Sequence, residues 1–237
     1  MTKLTALNAR EFSKKAWTRA NLSFSAKDHL VPVVIAELPK IVPSMPMVFV
    51  PAGDGFQLMA LTSFAPGTNL FVSHDGNWLG DYVPLALQAY PFRLAKAPDS
   101  EQRILCFDED SGRLVAKGKG EPFFATVDSL TPTVKAIFDL LLQTESSRLV
   151  TQAAVDNLAS ANLLEPWNVS VKEGERTMQL EGLYKIDETK LNGLSDEVFV
   201  GLRRSNALLL VYAQLLSLNQ LALFQKLTLI RQQQSNP

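Results

Sequence analysis

The sequence predicts an α+β fold, with a strand- and turn-rich N-terminal half of antiparallel hairpins packed with a helical C-terminal half. Up to about residue 125, short apolar runs rich in β-branched residues alternate with turns that contain Gly and Asp. Beyond residue 130, apolar residues recur at helical spacing. Because strands followed by helices are typical of α+β proteins, we expect a single domain over residues 1–237, strand-rich over 24–125 and mainly helical over 130–232.

The first strands lie between prolines. Leu30–Ile35 and Met47–Val50 are short apolar runs with the residue types that strands favour. The sequence Ala-Gly-Asp-Gly at 52–55 is typical of a tight turn, and Phe56–Leu61 follows it as the partner strand. We therefore expect an antiparallel hairpin over residues 47–61.

The same alternation of strand and turn continues along the N-terminal half. Asn69–Val72 and Asn77–Leu79 flank Asp75-Gly76, which favours a type I′ turn with positive φ at both central residues. Pro84–Tyr90 has the composition of one short helix that ends before Pro91. Ile104–Asp108 is a further strand, and the turn at 109–112 follows it.

The second half opens with a helix. Thr131 is a good N-cap residue and Pro132 suits the first turn. Val134, Ile137, Phe138 and Leu141 then have i, i+3, i+4, i+7 spacing, which predicts an amphipathic helix. Helical composition continues to about residue 162, with a break expected near Ser146-Ser147.

Two further elements and a long helix complete the chain. Val169–Val171 and Met178–Tyr184 can pair as a hairpin across Glu173-Gly174. Ser195 can cap a helix whose first turn carries two acidic residues. After residues 203–206 we expect one long final helix that ends in Gln232–Gln234.

The composition excludes several classes of protein. Lys and Arg total 23, Asp and Glu total 24, and the net charge is −1, which gives no overall attraction to nucleic acid or to an anionic membrane. A single cysteine excludes an internal disulfide framework. Residues 1–25 interleave charged and polar side chains and lack the apolar run of a signal peptide, which predicts a cytoplasmic location. We also expect no transmembrane span, because Gln214, Asn219 and Lys226 interrupt the apolar stretch that begins at Ala207.

Few residues could carry metal chemistry. Only His29 and His74 are histidines, whereas iron and zinc sites usually need two or three together with a carboxylate. The loop at 108–119 fails the EF-hand spacing because Gly112 falls at its fifth position rather than its sixth. The sequence therefore predicts no catalytic residue and no cofactor, and a metal site at His29 and His74 is an alternative hypothesis.

Aromatic residues provide a second candidate site. Five side chains between positions 78 and 93 combine rings with one cation, a mixture found in ligand pockets, namely Trp78, Tyr82, Tyr90, Phe92 and Arg93. The same rings could form the core of a small β domain. We favour the core interpretation and keep ligand binding as the alternative.

The final helix provides a candidate partner interface. Leu208, Val211, Leu215 and Leu218 alternate spacings of three and four, as in a coiled-coil seam. An adjacent apolar stripe follows the same spacing. A helix that is apolar on most sides is usually buried, either within its own domain or by another chain, so a protein partner, or a second copy in a homodimer, is expected here.

Sequence segments along nearly the whole chain resemble the SapC family of bacterial proteins. In the N-terminal half these segments are His29-Leu30-Val31-Pro32, Glu37-x-Pro39, Pro46–Val50, Asn69–Val72, Asp75-Gly76-x-Trp78-Leu79-Gly80-x-Tyr82-Val83-Pro84, Tyr90-Pro91-Phe92 and Cys106–Gly112. In the C-terminal half they are Leu163–Trp167, Gly182-Leu183-Tyr184-x-Ile186-Asp187-Glu188 and Tyr212–Leu218.

The resemblance implies an accessory role in nutrient uptake or modification. Because the sequence lacks a complete catalytic constellation and is rich in apolar and aromatic residues, we expect a soluble, non-catalytic interaction protein that acts with a partner protein or small ligand. The resemblance also implies flavin-dependent tryptophan-halogenase-like proteins or TonB-dependent receptor systems as partners, because family members are commonly encoded near them. Two alternatives stay open: a metal-dependent oxygenase-like enzyme that uses His29 and His74, and a structural protein associated with the surface layer by a non-standard export route. The name is also used for a peptide-transporter permease, a meaning that the expected absence of spans contradicts.

Overall fold

The computed structural model describes residues 3–97, 100–127, 129–173 and 176–235. The chain divides into two compact units, each built from two stretches of sequence. Unit 1 comprises Met1–Asn21 and Leu85–Ser146, and unit 2 comprises Leu22–Pro84 and Ser147–Pro237. Strands and helices therefore mix within each unit, and the expectation of one domain over the whole chain stays a prediction.

The strands are short and pair antiparallel throughout the described residues. In chain order they are β1 (Leu4–Ala6), β2 (Lys15–Trp17), β3 (Leu30–Pro32), β4 (Met47–Ala52), β5 (Gly55–Leu61), β6 (Phe92–Lys96), β7 (Arg103–Asp108), β8 (Leu114–Ala116), β9 (Glu121–Pro122), β10 (Phe124–Thr126), β11 (Ser129–Leu130), β12 (Leu164–Pro166), β13 (Val169–Glu173), β14 (Arg176–Leu180) and β15 (Tyr184–Ile186).

The longer helices are concentrated toward the C-terminus. In chain order the α-helices are α1 (Ala9–Phe12), α2 (Leu38–Ile41), α3 (Leu85–Gln88), α4 (Pro132–Ser160), α5 (Glu188–Asn192), α6 (Asp196–Arg204), α7 (Ala207–Ser217) and α8 (Ala222–Ser235). Short 3-10 helices occur at Leu22–Ser25, Ile35–Glu37, Glu109–Ser111 and Leu218–Leu221. Antiparallel sheets in the N-terminal half and helices at the C-terminus confirm the predicted α+β class.

Unit 1 encloses an aromatic core between small sheets. Its sheets have the strand orders β1-β7-β6, β8-β2-β9 and β10-β11. Phe12 and Phe123 meet edge to face at 5.0 Å, and Phe92 and Phe107 do so at 5.2 Å. Such edge-to-face pairs add to the stabilisation that burial of the rings provides.

Unit 2 is built on a five-stranded sheet of order β12-β15-β4-β5-β3. The β4–β5 hairpin pairs from Met47↔Ala60 to Ala52↔Gly55, which confirms the predicted strands and turn. Gly53 has a φ of +57° in that turn, a conformation that glycine adopts without steric cost. α7 packs on β4 and β15, so its inner side belongs to the core of this unit.

Several other predicted elements are confirmed. β13 pairs with β14 as the predicted hairpin, although Gly174 in its turn lies outside the described residues. The Ser195 hydroxyl accepts from the Val198 N–H at 3.4 Å and caps α6. α4 begins at Pro132 as predicted, but it continues through Ser146-Ser147 without the expected break.

The Asp75-Gly76 turn differs from the prediction. Gly76 has a φ of +78°, but Asp75 is not among the residues with positive φ. Ser73 donates its N–H to the Asn77 carbonyl oxygen at 2.8 Å, so three residues rather than two connect the strand-like segments. A three-residue connection needs a single left-handed residue at its end, which glycine supplies, so the type I′ prediction is wrong.

The single long final helix is also a wrong prediction, because a 3-10 helix at Leu218–Leu221 separates α7 from α8. Two side chains compete for carbonyl groups at this point. The Ser217 hydroxyl donates to the Gln214 carbonyl at 2.7 Å, and Asn219 Nδ2 donates to the Leu216 carbonyl at 3.1 Å. Side-chain hydrogen bonds of this kind offer the backbone an alternative to regular helical bonding.

Candidate functional site

The five aromatic and cationic residues of the predicted ligand site are divided between the two units. Trp78 and Tyr82 belong to unit 2, whereas Tyr90, Phe92 and Arg93 belong to unit 1. Ligand binding by these residues stays a prediction.

In unit 2, Trp78 is part of an aromatic cluster. Its ring stacks on Phe71 with centroids 5.2 Å apart and planes inclined by 24°, and Phe71 contacts Phe224 edge to face. The indole Nε1 of Trp78 is buried and has no hydrogen-bond partner among the described residues. Gly80 lies so close that a Cβ atom there would be 2.8 Å from Phe71 Cδ1. The packing around Trp78 is therefore that of a core.

Tyr82 reaches a buried carboxyl group in unit 2. Its hydroxyl donates to Glu37 Oε2 at 3.0 Å, while Glu37 Oε1 accepts from the Val34 N–H at 2.9 Å. Glu37 is only 3% exposed, so these contacts satisfy a group that is costly to bury alone. Glu37 thereby stabilises the start of the 3-10 helix at Ile35–Glu37.

Side chains from α4 complete the capping of that 3-10 helix. Thr151 Oγ1 accepts from the Ile35 N–H at 2.9 Å, and Ser147 Oγ accepts from the Ala36 N–H at 3.1 Å. This turn replaces the end of the strand predicted over Leu30–Ile35, because β3 ends at Pro32. Glu37, Thr151 and Tyr82 therefore make hydrogen bonds whose role is structural.

In unit 1, Phe92 is buried in the aromatic core and contacts Trp17 edge to face at 4.9 Å. Arg93 follows it on β6 with an exposed side chain. Burial raises the pKa of the Tyr90 hydroxyl, and the nearby Asp108 carboxylate raises it further. The core interpretation therefore describes Phe92, whereas Tyr90 is half-buried and Arg93 is exposed.

The two histidines of the metal hypothesis lie in unit 2. The His29 carbonyl accepts from the Thr62 N–H at 2.9 Å beside β3, and His74 is exposed in the turn before Gly76. Over the part of the chain that the structure describes, no group of three or more His, Cys, Asp or Glu side chains could hold a metal ion. A site made from His29 and His74 stays a prediction.

The inner side of α7 carries polar side chains that bind the sheet of unit 2. Gln214 is fully buried, and its Oε1 accepts from the Ile186 N–H while its Nε2 donates to the Met47 carbonyl, both at 3.1 Å. The hydroxyl of Ser217, also fully buried, accepts from the Met47 N–H at 2.9 Å. These bonds fix the rotation of α7 about its own axis.

The outer side of α7 is apolar and exposed. Leu209 is 51% exposed, Tyr212 50% and Leu216 58%. Spacings of three and four residues place these side chains on one helix face, which we call the α7 outer face. No charged residue occurs between Ala207 and Gln225. Since proteins use exposed apolar groups of this kind in binding, this face is the best candidate for a functional site.

The four residues of the predicted partner interface are less exposed than the α7 outer face, and their role as an interface stays a prediction. Val211 is fully buried in the core of unit 2, while Leu208 and Leu215 are half-buried against that core. Leu218 is also half-buried and begins the 3-10 helix. Hydropathy alone could not select the exposed stripe, because the side that faces the core includes the polar Gln214 and Ser217.

The C-terminal helical region Ala207–Gln234 is long and apolar enough to cross a membrane, by length and composition only. Its most apolar stretch has a mean hydropathy of 1.7, and 39% of that stretch is buried in the protein. The core helices of folded domains can be equally long and apolar. The hydrogen bonds of Gln214 and Ser217 to β4 and β15 are those of a helix packed on a sheet, and the absence of a span stays a prediction.

Comparison with known proteins identifies a family. The SapC family model matches residues 7–223 of the 237-residue chain. No curated protein and no solved structure matches the chain. The match covers both units and extends to the end of α7 and the first residues of α8.

Proposed function

The chain belongs to the SapC family, and we propose that it is a non-catalytic accessory protein that binds a partner protein through the α7 outer face. The observation that carries this proposal is the exposure of Leu209, Tyr212 and Leu216 on a helix whose opposite side is held in the core. Burial of each half-exposed side chain by a partner would stabilise a complex by about 1 kcal/mol.

The rigidity of α7 supports a binding role. Gln214 and Ser217 tie the helix to β4 and β15, so the outer face is already ordered before a partner arrives. A preorganised surface loses little conformational entropy on association, which leaves more of the contact energy for affinity. Tyrosine is also among the residues most often found at energetically dominant positions of interfaces.

We propose a flavin-dependent tryptophan-halogenase-like protein as the first partner to test, and a TonB-dependent receptor system as the second. Both come from the association of the family with such proteins, and either would place the chain in nutrient uptake or modification. The cytoplasmic location expected from the sequence stays a prediction that cell fractionation would test.

Binding can be tested with purified proteins. The chain is mixed with each partner from the same genome, complexes are detected by size-exclusion chromatography with light scattering, and the Kd is measured by calorimetry. Leu216→Ser should raise the Kd about tenfold, the loss expected at an energetically important interface position. Circular dichroism would verify that the variant is folded.

Leu149 of α4 offers a matched control, because it is also a leucine in a helix and is 58% exposed, as Leu216 is. Leu149→Ser should leave the Kd unchanged. The proposal is wrong if neither partner binds, or if both substitutions weaken binding equally.

A further inference from the structure

Three side chains on one face of α8 hold this helix against unit 2. Phe224 and Leu227 are buried, and the guanidinium of Arg231 donates to the carbonyl oxygens of Asn69 and Val72, the second at 2.6 Å. Positions 224, 227 and 231 have i, i+3, i+7 spacing, which places them on the same helix face. Amphipathic helices that dock in the groove of a partner use anchors at this spacing.

The other sides of α8 are largely open to solvent. Gln225, Lys226 and Gln232 are exposed, and the apolar Leu229 is 53% exposed. α8 therefore packs on the rest of unit 2 along a narrow stripe, unlike a helix that is surrounded by core.

The first anchor of α8 contacts aromatic rings of unit 2. Phe224 meets Phe64 edge to face with ring centroids 5.2 Å apart, and it meets Phe71 in the same way at 6.4 Å. Phe71 in turn stacks on Trp78, whose buried indole Nε1 has no hydrogen-bond partner among the described residues. α8 thus packs against an aromatic cluster that contains an unsatisfied polar group.

The 3-10 helix at Leu218–Leu221 has the properties of a hinge between α7 and α8. Residues 207–235 contain neither Gly nor Pro, so no helix-breaking residue accounts for the interruption. A 3-10 segment between two helical stretches often marks a hinge. Leu218 and Ala222 keep right-handed helical torsion angles, with ψ of −21° and −24°. Small changes of torsion angle over a few residues are therefore enough to redirect α8.

α7 is anchored more firmly than α8. The fully buried side chains of Gln214 and Ser217 bond to the backbone of Met47 and Ile186 in the sheet. Separation of α7 would leave these buried groups without partners, which is costly. Arg231 is only half-buried, so water can replace its two carbonyl partners when α8 leaves.

We propose that α8 is a hinged cover of unit 2: it opens as one body about Leu218–Leu221 and exposes the rings of Phe64 and Phe71, while α7 stays docked on the sheet. Local openings of this kind require less free energy than global unfolding, and moving elements belong to the least stable parts of a structure. The inference does not depend on the proposed function, because the α7 outer face is the same in the closed and the open state.

Thiol labelling of the full chain measures the opening. Cys106 is the only cysteine, so Leu227→Cys and Val211→Cys in a Cys106→Ala background each give a chain with one thiol. Both positions are buried, the first in α8 and the second in α7. The thiol at position 227 should react with Ellman's reagent at least about tenfold faster than the thiol at position 211, since only α8 opens locally. Circular dichroism verifies that both variants are folded.

The polar anchor is tested in the same backgrounds. Arg231→Gln removes the guanidinium, and labelling at position 227 should accelerate about tenfold, because hydrogen bonds from charged groups are among the stronger ones. Labelling at position 211 should not change. Lys226→Gln is the matched control, because Lys226 is an exposed cation of the same helix, and it should change neither rate.

Hydrogen exchange of the unmodified chain, read by mass spectrometry, supplies a test that needs no substitution. The amides of α8 should exchange at least about tenfold faster than those of α7. Equal exchange in the two helices, or equal labelling at positions 227 and 211, would show that α8 opens only when the protein unfolds globally and would overturn the inference. An Arg231→Gln substitution that accelerates labelling at both positions to the same extent would also overturn it.

Discussion

Gln214 of α7 donates a hydrogen bond from its side-chain amide to the carbonyl oxygen of Met47 in β4, across 167 positions of sequence. The same amide accepts from the Ile186 N–H of β15. β4 and β15 pair directly at Tyr184↔Phe49. The Gln214 side chain adds a second link between these two strands through its hydrogen bonds. A polar residue in the middle of an apolar helix thereby joins the helix to the sheet.

Replacement of Gln214 should therefore destabilise the protein strongly. Gln214→Leu would bury the Met47 carbonyl and the Ile186 N–H without these partners, and we expect the free energy of unfolding to fall by about 2–4 kcal/mol. Urea denaturation followed by circular dichroism measures the change. Gln225→Leu is the control, because Gln225 is an exposed glutamine of α8, and its effect should stay within about 0.5 kcal/mol. Equal stability of the two variants would contradict the role given to Gln214.

A second prediction concerns the close approach of Gly80 to the aromatic cluster of unit 2. A Cβ atom at position 80 would lie 2.8 Å from Phe71 Cδ1 and 3.0 Å from Trp78 Nε1. Since these rings stack on each other, neither can move away without loss of packing. Gly80→Ala should lower the free energy of unfolding by about 1–3 kcal/mol.

Gly201 offers the matched control for that substitution. It lies in α6, and a Cβ atom there would have no neighbour within 4 Å. Gly201→Ala should raise the free energy of unfolding by about 0.5–1 kcal/mol, because alanine loses less backbone entropy than glycine in a helix. Relative to the unmodified protein, the Tm should fall for Gly80→Ala and rise for Gly201→Ala. If the Tm of both variants changes in the same direction, the steric argument is wrong.

A third prediction tests the hydrogen bond between Tyr82 and Glu37. Tyr82→Phe removes a donor to a buried carboxyl group, so the free energy of unfolding should fall by about 1–2 kcal/mol. Tyr212→Phe is matched in chemistry but alters an exposed hydroxyl on α7, and it should have little effect. Chemical denaturation of the two variants, at the same pH, measures the difference; a loss confined to Tyr212→Phe would contradict the assignment.

A fourth prediction concerns the acid side of the stability profile. Lys3 Nζ donates to Glu109 Oε2 at 3.0 Å, and this hydrogen bond holds the pKa of Glu109 below its ordinary value of 4.5. A carboxylate whose pKa is lower in the folded state stabilises the fold above its unfolded pKa and loses that contribution as pH falls through its folded pKa. The contribution of Glu109 should therefore be complete at pH 7 and be lost progressively as pH falls below the ordinary pKa of 4.5 and through the lowered folded-state pKa.

Glu109→Gln removes the titrating group and checks the sign of this dependence. The unmodified protein should be more stable than the variant at pH 7, and the difference should shrink as pH is lowered. Lys3→Gln should make the free energy of unfolding depend less on pH in the acidic range, because it removes the main cause of the lowered pKa of Glu109. Urea denaturation at a series of pH values measures the effect, and a difference that grows on acidification would refute it.

Local signals predicted a large part of the fold. The β4–β5 hairpin, the β7 strand, the start of α4 and the cap of α6 follow from turn residues, alternating hydrophobicity and capping chemistry, which act over a few residues. The strands β1 and β2 were not predicted, because each has three residues and pairs with a strand far along the chain, β7 for β1 and β8 for β2. β6 was not predicted either, although its partner β7 is the next strand.

The candidate interface stays a prediction, and the structure decides only which of its side chains are exposed. The sequence predicted a seam of Leu208, Val211, Leu215 and Leu218 with an adjacent apolar stripe; Val211 is in the core, and Leu209, Tyr212 and Leu216 of the adjacent stripe are exposed. An apolar pattern cannot distinguish two adjacent stripes of leucine on one helix. Hydrogen bonds from Gln214 and Ser217 to strands far away in sequence determine which stripe faces the core.

The sequence by itself determined the α+β class and the membership of the SapC family, since these depend on local pattern and composition. Tertiary structure alone decided the division of the chain into two units, the burial of Glu37 against Tyr82 and the rotation of α7 that exposes its outer face. The reason is physical: strand pairing and buried hydrogen bonds join residues more than a hundred positions apart, and no local propensity specifies which of them meet.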